Sequence, residues 1–270
     1  MRLADRTAVV TGAASGIGRA IADSLARRGC HLALADVDAE KLEETAKMAA
    51  GSGVRVSRHL VDVADRQMVA TFPQAVAARH GGVDILVNNA GVAIGGTFEE
   101  VSEEDFEWLF EINFWGVVRM TRAFLPLLRR SDDARIVNLS SVFGLISPPG
   151  HTAYSASKFA VRGFSNALRN ELAGTNIGVT VVHPGGVATS IADNARPAKS
   201  DTPEEIAQRK ATFKKLARLP PEVAGEIIVK AIERRKARVL VGGDARMMAI
   251  VERLAPVSYW KVLGRRLGKE

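Results

Sequence analysis

The chain has 270 residues, 47% of them hydrophobic and 25% charged, a globular composition long enough for one large α/β domain or two small ones. Its single cysteine, Cys30, rules out an intramolecular disulfide and a cysteine-based zinc site. The five histidines (His31, His59, His80, His151, His183) lack ligand spacing, so no metal site is expected and a reducing, cytoplasmic setting fits. The net charge of +7 is gathered at the end: residues 209–270 carry 16 Lys and Arg against 6 Asp and Glu, leaving residues 1–208 at −3.

The basic segment could serve an anionic membrane surface or an acidic ligand, and a solvated basic face is the plainer reading. No helix-turn-helix, zinc-finger or RNP-like pattern accompanies the charge, so nucleic acid is not expected as a partner. The N-terminus has no apolar signal region before the first strand-like run, and no run of about 18 apolar residues predicts a membrane span.

Taken in order, residues 7–11 (TAVVT) read as a strand, followed by the glycine-rich GAASGIG and a helical stretch. Strand-like runs recur at 31–36, 54–63, 83–89, 135–141, 178–185 and 238–243, with helix composition at 38–50, 64–80, 102–130 and 152–173. Near-continuous apolar strands alternating with helices predict a single-domain, doubly wound parallel sheet of about seven strands, Rossmann-like, with helices on both faces. Residues 102–130 read as one long helix, bent or ended at Pro126. The stretch 186–220, with Pro197, Pro203 and Pro220, reads as a long irregular insertion, either a substrate lid or a surface loop. The boundaries drawn are 1–245 for a catalytic domain and 246–270 for a basic amphipathic extension.

The glycine-rich turn carries the first chemical signal. Gly12, Gly16 and Gly18 sit between a strand and a helix, where small residues let a pyrophosphate approach free N–H groups at the positive end of the helix dipole. The spacing is G-x-x-x-G-x-G, not the usual G-x-G-x-x-G. Asp36 lies 18 residues after Gly18 at the end of the second strand, placed to bind ribose hydroxyls and to repel a 2′-phosphate; the alternative role is that of an acid at a helix start. Neither Ser15 nor Val37 is basic, and Arg19 is the one nearby cation, so NAD is expected over NADP.

Tyr154 and Lys158 are four residues apart in a helical segment and share one face. A cation beside the ring favours the phenolate and makes the tyrosine a tunable acid/base. Ser141, thirteen residues upstream, could hold a substrate oxygen. The pair alone is also what an ordinary i,i+4 surface contact looks like, and the N-terminal turn tips the reading.

TGAASGIG, NNAG, Asn113, Ser141, Tyr154-x-x-x-Lys158 and PGGVAT follow one another in the order and spacing of a known family. The chain resembles a short-chain dehydrogenase/reductase of the roughly 250-residue subtype over residues 5–245. The resemblance implies that Gly12, Ser15, Ile17 and Gly18 line the cofactor pyrophosphate and ribose. Asp62 and Val63 would flank the adenine, and Asn89, Ala90 and Gly91 would lie under the adenosine ribose. Pro184, Gly185, Val187 and Thr189 would meet the nicotinamide side. It further implies Tyr154 as acid/base, Lys158 on the tyrosine and the nicotinamide ribose, Ser141 on the reacting oxygen, and Asn113 holding a water, although Asn113 could equally be a polar residue bending its helix. A homodimer or homotetramer through the helices at 102–130 and 152–173 is expected on the same ground, with Phe114, Trp115 and Phe124 at the interface or buried within one subunit.

The expected function is hydride transfer between NAD(H) and an apolar secondary alcohol or ketone of sterol, retinoid or long-chain type. The substrate side is apolar (Val92, Ala93, Ile94, Val142, Phe143, Leu145, Ile146, Ile191), with His151 a polar contact or a surface residue. An NADPH-dependent carbonyl or 3-oxoacyl reductase is the alternative enzyme. A cofactor-binding regulatory or membrane-associated protein is the alternative of another class. In the tail, Met247, Ile250, Val251, Leu254, Val257, Trp260, Leu263 and Leu267 form an amphipathic stripe interrupted at Pro256, with Arg246, Arg253, Lys261, Arg265, Arg266 and Lys269 in the same segment. Docking on the protein's own core or on a partner subunit is the reading preferred over peripheral membrane contact.

Overall fold

A computed structural model describes residues 1–199 and 201–267. Seven parallel strands form one sheet in the order β3-β2-β1-β4-β5-β6-β7: β1 (Thr7–Thr11), β2 (His31–Asp36), β3 (Val56–Leu60), β4 (Ile85–Asn88), β5 (Ala134–Leu139), β6 (Ile177–Pro184) and β7 (Arg238–Val241). All six pairings are parallel. Chain order reverses between β1 and β4, which opens a crevice at the C-terminal ends of the strands where such sheets bind ligands.

Alternate strand residues face opposite sides, so the sheet carries two cores. Ala8, Val10, Leu32, Leu34, Ile85, Val87 and Val182 pack against α1 (Gly16–Ala26), α2 (Ala39–Ala50) and α8 (Pro221–Glu233). Val9, Ala33, Leu86, Ile136 and Val179 pack against α3 (Arg66–His80), α5 (Gly116–Leu128) and α6 (Thr152–Glu171). The doubly wound sheet read from the sequence is therefore observed. Phe124 is fully buried in the second core, while Trp115 is 45% exposed, so of the aromatic residues considered for an interface only part remains on the surface.

Three elements differ from the sequence reading. The stretch 102–130 is not one continuous α-helix: α4 (Glu103–Phe110) passes through a π-helical turn, Glu111–Trp115, into α5. Pro126 sits in the last turn of α5. The stretch 186–220 contains a helix, α7 (Pro203–Leu216), set by local chemistry: the Thr202 hydroxyl accepts from the Glu205 N–H, the Glu205 carboxylate accepts from the Thr202 N–H, and Pro203 occupies the first turn. α8 went unread, although Pro221, Glu222 and an apolar stripe announce it.

The tail folds as two helices, α9 (Gly243–Leu254) and α10 (Tyr259–Leu267), with Pro256 between them. Leu263 is buried, and Met247, Val251, Tyr259 and Trp260 pack with it against Val142, Phe143 and Ile146. Lys269 of the basic stripe lies outside the described residues, as do the side chains of Arg265, Arg266 and Leu267. Among the described residues no helix is long and apolar enough to cross a membrane.

α1 and α8 pack at very close range where Gly225 meets the backbone of Ala20; a Cβ on Gly225 would stand 2.6 Å from the Ala20 carbonyl carbon. Gly225→Val should lower the unfolding free energy by about 1–3 kcal/mol, because this contact cannot give without separating two helices. Urea unfolding checks it, and an unchanged midpoint would show that the helices move apart freely.

Candidate active site

Six strand ends supply the site residues: Gly12 follows β1, Asp36 closes β2, Asp62 follows β3, Asn89 follows β4, Ser141 follows β5 and Pro184 closes β6. Parallel pairing puts all six at one edge of the sheet, which is why residues as far apart in sequence as Gly12 and Pro184 share one crevice.

The glycine turn has the shape of a phosphate cradle. Gly12 and Gly16 have φ of 62° and 52°, a conformation that L side chains resist. A Cβ on Gly12 would lie 2.8 Å from Ala90 Cα, and one on Gly18 would lie 2.5 Å from Asn89 Nδ2. Asn89 Nδ2 donates to the carbonyls of Thr11 and Gly12, both at 3.0 Å, and the Thr11 hydroxyl accepts from the N–H groups of Asn89 and Ala90. Asn89 thus ties the β4 end to the turn. Ser15, exposed, opens α1 without a side-chain cap bond, leaving its hydroxyl and the first helical N–H groups facing outward. Thr189 Cγ2 lies 3.0 Å from where a Gly16 Cβ would stand, so the segment after β6 borders the same cradle. Ile17 is partly buried against the first core.

The Asp36 carboxylate is fixed by three backbone donors: Ala14 N–H on Oδ2 at 2.9 Å, and Val37 and Asp38 N–H on Oδ1 at 2.8 and 3.1 Å. Arg19 is occupied: it donates to the Ala14 carbonyl at 2.6 Å and pairs with Glu44 at 2.9 Å. Asp62 Oδ1 accepts from Ala64 N–H at 2.8 Å, and Val63 is buried beneath Gly116 of α5. These residues make a pocket-edge suited to a dinucleotide.

At the other side of the crevice Ser141, Tyr154, Lys158 and Asn113 come together. The Ser141 hydroxyl accepts from Phe143 N–H at 3.1 Å and acts on the Tyr154 hydroxyl, whose ionised form it favours. Lys158 Nζ lies 5.5 Å from the tyrosine ring centre and donates to the Leu139 carbonyl at 3.2 Å. The π turn swings Asn113 inward, fully buried, where Oδ1 accepts from Val92 N–H at 2.8 Å and Nδ2 donates to the Val92 carbonyl and the Ser157 hydroxyl. Asn113 Oδ1 and Lys158 Nζ both face Gly91, 3.1 and 3.3 Å from the place of its missing Cβ.

Burial governs both titratable groups. It pushes Tyr154 up to about 12, against the opposing effect of the Ser141 hydrogen bond, and pulls Lys158 down to about 8. The expected lowering of the tyrosine by the lysine is therefore overridden in the site without a cofactor. The arrangement can hold a protonated tyrosine ready to donate, and can release that proton when positive charge is added beside the ring.

The apolar lining divides. Ile94 is buried with Leu109, Ala153 and Tyr154, and Val142 is buried under the tail with Ala245 and Leu263. Phe143 remains partly exposed, 6.1 Å edge-on to Tyr154 and 5.1 Å from His151. Ile191 lies partly buried on the segment after β6. That segment is held in place by Arg196, which bridges backbone to Ala93 and Gly95, pairs with Asp105 at 3.1 Å and stacks 3.5 Å over Trp108. One positioning residue escaped the sequence reading. Asp244, in the first turn of α9, accepts from Gly186 N–H at 2.6 Å and so bolts the tail to the Pro184–Val187 loop, whose Val187 is buried. An acid directly after Gly242-Gly243 at a helix start was its signal.

The sequence pattern described as short chain dehydrogenase matches residues 6–200. The chain belongs to the short-chain dehydrogenase/reductase family. SadH of Mycobacterium tuberculosis is 41% identical over 266 residues, 98% of this chain and 96% of its own. The 3-oxoacyl-[acyl-carrier-protein] reductase FabG of Thermotoga maritima is 34% identical over 77% of this chain and 89% of its own. Among solved structures, a short-chain dehydrogenase/reductase of Burkholderia phymatum in complex with NAD superimposes with a TM-score of 0.87 at 30% identity, covering 100% of this chain and 97% of that one. As a member of this family the protein is an oxidoreductase with a nucleotide-binding Rossmann fold.

In the cofactor-free enzyme, wild type and Tyr154→Phe should show equal phenolate absorbance at pH 10, the ordinary tyrosine value, because burial keeps Tyr154 protonated there. Ultraviolet pH titration reads this directly, the chain having only two tyrosines. A clear loss of phenolate signal at pH 10 in Tyr154→Phe would show that Lys158 outweighs burial.

Proposed function

We propose that this enzyme transfers a hydride between NAD(H) and an apolar secondary alcohol or ketone, with Tyr154 as the acid/base. The observation that carries the proposal is the Ser141–Tyr154 hydroxyl pair set over a buried Lys158, at the strand ends that also form the glycine cradle. Gly12, Ser15, Gly16, Ile17, Gly18, Asp36, Asp62, Val63, Asn89, Ala90 and Gly91 would hold the adenosine and pyrophosphate half. Lys158, Pro184, Gly185, Val187 and Thr189 would hold the nicotinamide half. The bound nicotinamide supplies the hydride chemistry.

The rest is done by this chain. Ser141 orients the substrate oxygen toward the Tyr154 hydroxyl. In oxidation Tyr154 takes the alcohol proton; in reduction it gives it back. Lys158 keeps a positive charge below the ring and stabilises the phenolate when it forms. Asn113 fixes Val92 and the base of α6 through Ser157, which keeps the lysine and tyrosine in register, and it would hold a water on the path from Lys158 to solvent.

Three donors on Asp36 keep a carboxylate where a 2′-phosphate would have to sit, and Arg19 is spent on Ala14 and Glu44. Both support NAD over NADP, in line with the NAD carried by the Burkholderia phymatum structure. The second reading, an NADPH-dependent carbonyl or 3-oxoacyl reductase, draws support from the likeness to FabG. A cofactor-binding regulatory or membrane-associated protein with little catalysis is disfavoured by the complete Ser141–Tyr154–Lys158 set. The apolar cover formed by Phe143, Val142 and the tail supports a sterol-, retinoid- or long-chain-like substrate, and His151 beside Phe143 would give it one polar contact. The segment 186–220 would act as its lid.

We further propose that the enzyme pairs through the helical stretches 102–130 and 152–173, where Trp115 and Phe159 remain exposed. The cell's cytoplasm suits it. The tail would also touch anionic membrane: Ile250, Leu254, Val257 and Val262 are exposed, Val257 at 95%, beside Arg246, Arg253 and Lys261. Co-sedimentation with anionic vesicles should therefore fall in Leu254→Ser/Val257→Ser, and equal sedimentation of the two proteins would remove the membrane part of the reading.

The deciding experiment follows reduced nicotinamide with NAD or NADP over secondary alcohols of rising apolar size. Turnover should favour NAD and large apolar alcohols, and Tyr154→Phe should lose about 10²–10⁴-fold in kcat. Asp36→Ala should narrow the preference for NAD. Turnover with NADP alone would overturn the cofactor assignment and leave the catalytic set standing.

A further inference from the structure

A second polar opening lies on the α6 face of the sheet, away from the glycine cradle. Between α6 and the β6–β7 edge is a cleft of about 320 Å³, lined by Arg162, Asn166 and Arg169 on the helix and by Val181, His183 and Arg238 on the strands. The spacing 162, 166, 169 places the three helix residues on one face.

The charge here is unbalanced. Among the described residues, none of the three arginines makes a salt bridge to a carboxylate. Arg162 Nη1 donates to the Gly144 carbonyl at 3.2 Å and Arg169 Nη1 to Asn166 Oδ1 at 3.1 Å. Most of their guanidinium donors are thus unspent, since each group carries five. Arg162 and Arg238 repel one another, with Glu252 the one acid acting on Arg238.

His183 also lines the cleft. It is fully buried, and its Nδ1 lies 3.0 Å from the Ser141 carbonyl, which requires the proton on Nδ1. Nε2 is then a lone pair, buried and without a partner. Burial and the charges of Arg238 and Arg162 hold the imidazole neutral, down to about 4. A buried acceptor without a donor costs free energy, as does a set of like charges with no counter-ion. An anion in the cleft relieves the second, while Nε2 lies too deep to meet it.

We propose that this cleft binds the phosphate group of a small molecule, inorganic phosphate or a phosphate monoester, with Arg162, Arg169 and Arg238 on its oxygens. The site is separate from the cofactor crevice, yet it stands one hydrogen bond behind Ser141 through His183 and one behind Gly144 through Arg162. It does not depend on the substrate reading.

The test is calorimetric titration of inorganic phosphate, and separately of glycerol phosphate, into wild-type enzyme saturated with NADH, which blocks the cofactor's own phosphate cradle. The expected result is one saturable site per chain near neutral pH, weakened about tenfold or more in Arg238→Gln and in Arg169→Gln, each removing charge-assisted hydrogen bonds. Arg238 is exposed, so its variant tests the cleft without disturbing the core. The relative strength of the two phosphate arms separates free phosphate from a phosphorylated metabolite. No saturable binding in the wild type, or binding unmoved by both arginine variants, would overturn the proposal. So would wild type that binds nothing while Arg238→Gln lowers the oligomer mass, since carboxylates of a second copy would then fill the cleft.

Discussion

The site depends on holding an ammonium group in a dry place. Lys158 is almost fully buried, with the Leu139 carbonyl as its hydrogen-bond acceptor, and Tyr154 sits over it. Desolvation disfavours the charged form of each group, so it lowers the lysine and raises the tyrosine. At neutral pH the resting site keeps a charged lysine, brought close to its turning point, and a protonated tyrosine, moved away from its own, both by burial rather than by a counter-ion. A carboxylate beside Lys158 would fix the ammonium and blunt its pull on a phenolate. The absence of one among the described neighbours is what leaves the pair responsive to charge arriving from the cofactor side.

Around that dry lysine most buried polar groups satisfy one another, Asn88 Oδ1 and the Ser155 hydroxyl being exceptions. Asn88 Nδ2 donates to Asn138 and Thr121, Asn138 Nδ2 donates to Ser165, and Ser165 returns to the Val161 carbonyl of α6. This buried chain joins β4, β5 and α6, the three elements that carry Asn89, Ser141 and the Tyr154–Lys158 pair. Ser140 adds a bond to the carbonyl of Lys158 itself at 2.8 Å. Networks of this kind specify one arrangement because any shift leaves a buried amide unpaired. The catalytic geometry is thus fixed by side chains that touch no ligand.

Sequence alone carried the sheet and most of the crevice, for a definite reason. A parallel strand covered on both faces must be apolar along its length, and the ligand crevice must form at the strand ends, so Gly12, Asp36, Asn89, Ser141 and Pro184 are marked by position as well as by type. What stayed hidden depends on contacts between distant segments. The π turn at Asn113 exists because the amide must reach both backbone groups of Val92, and nothing in the local sequence encodes that reach. Helix α7 was readable from Thr202-Pro203 and Glu205, but the prolines around it read as breakers. His183 looked like part of an apolar strand, and only the structure turns its Nδ1 to Ser141. Asp244 is tied to Gly186, a partner 58 residues away that no local pattern names.

The tail shows how a peripheral element becomes part of an active site. Asp244 grips the loop after β6, while the Tyr259 hydroxyl accepts from Ser147 N–H at 3.0 Å. Between these two anchors Trp260 and Leu263 press on the Val142–Ile146 segment that directly follows Ser141. The same two helices leave Ile250, Leu254 and Val257 on the outside. An amphipathic pair with one face committed to the Ser141 loop and the other open to an apolar phase couples whatever the outer face meets to the wall of the crevice. A membrane or a second subunit against Leu254 and Val257 would press on α9 and α10, and through Leu263 and Asp244 on both loops that border the reacting centre.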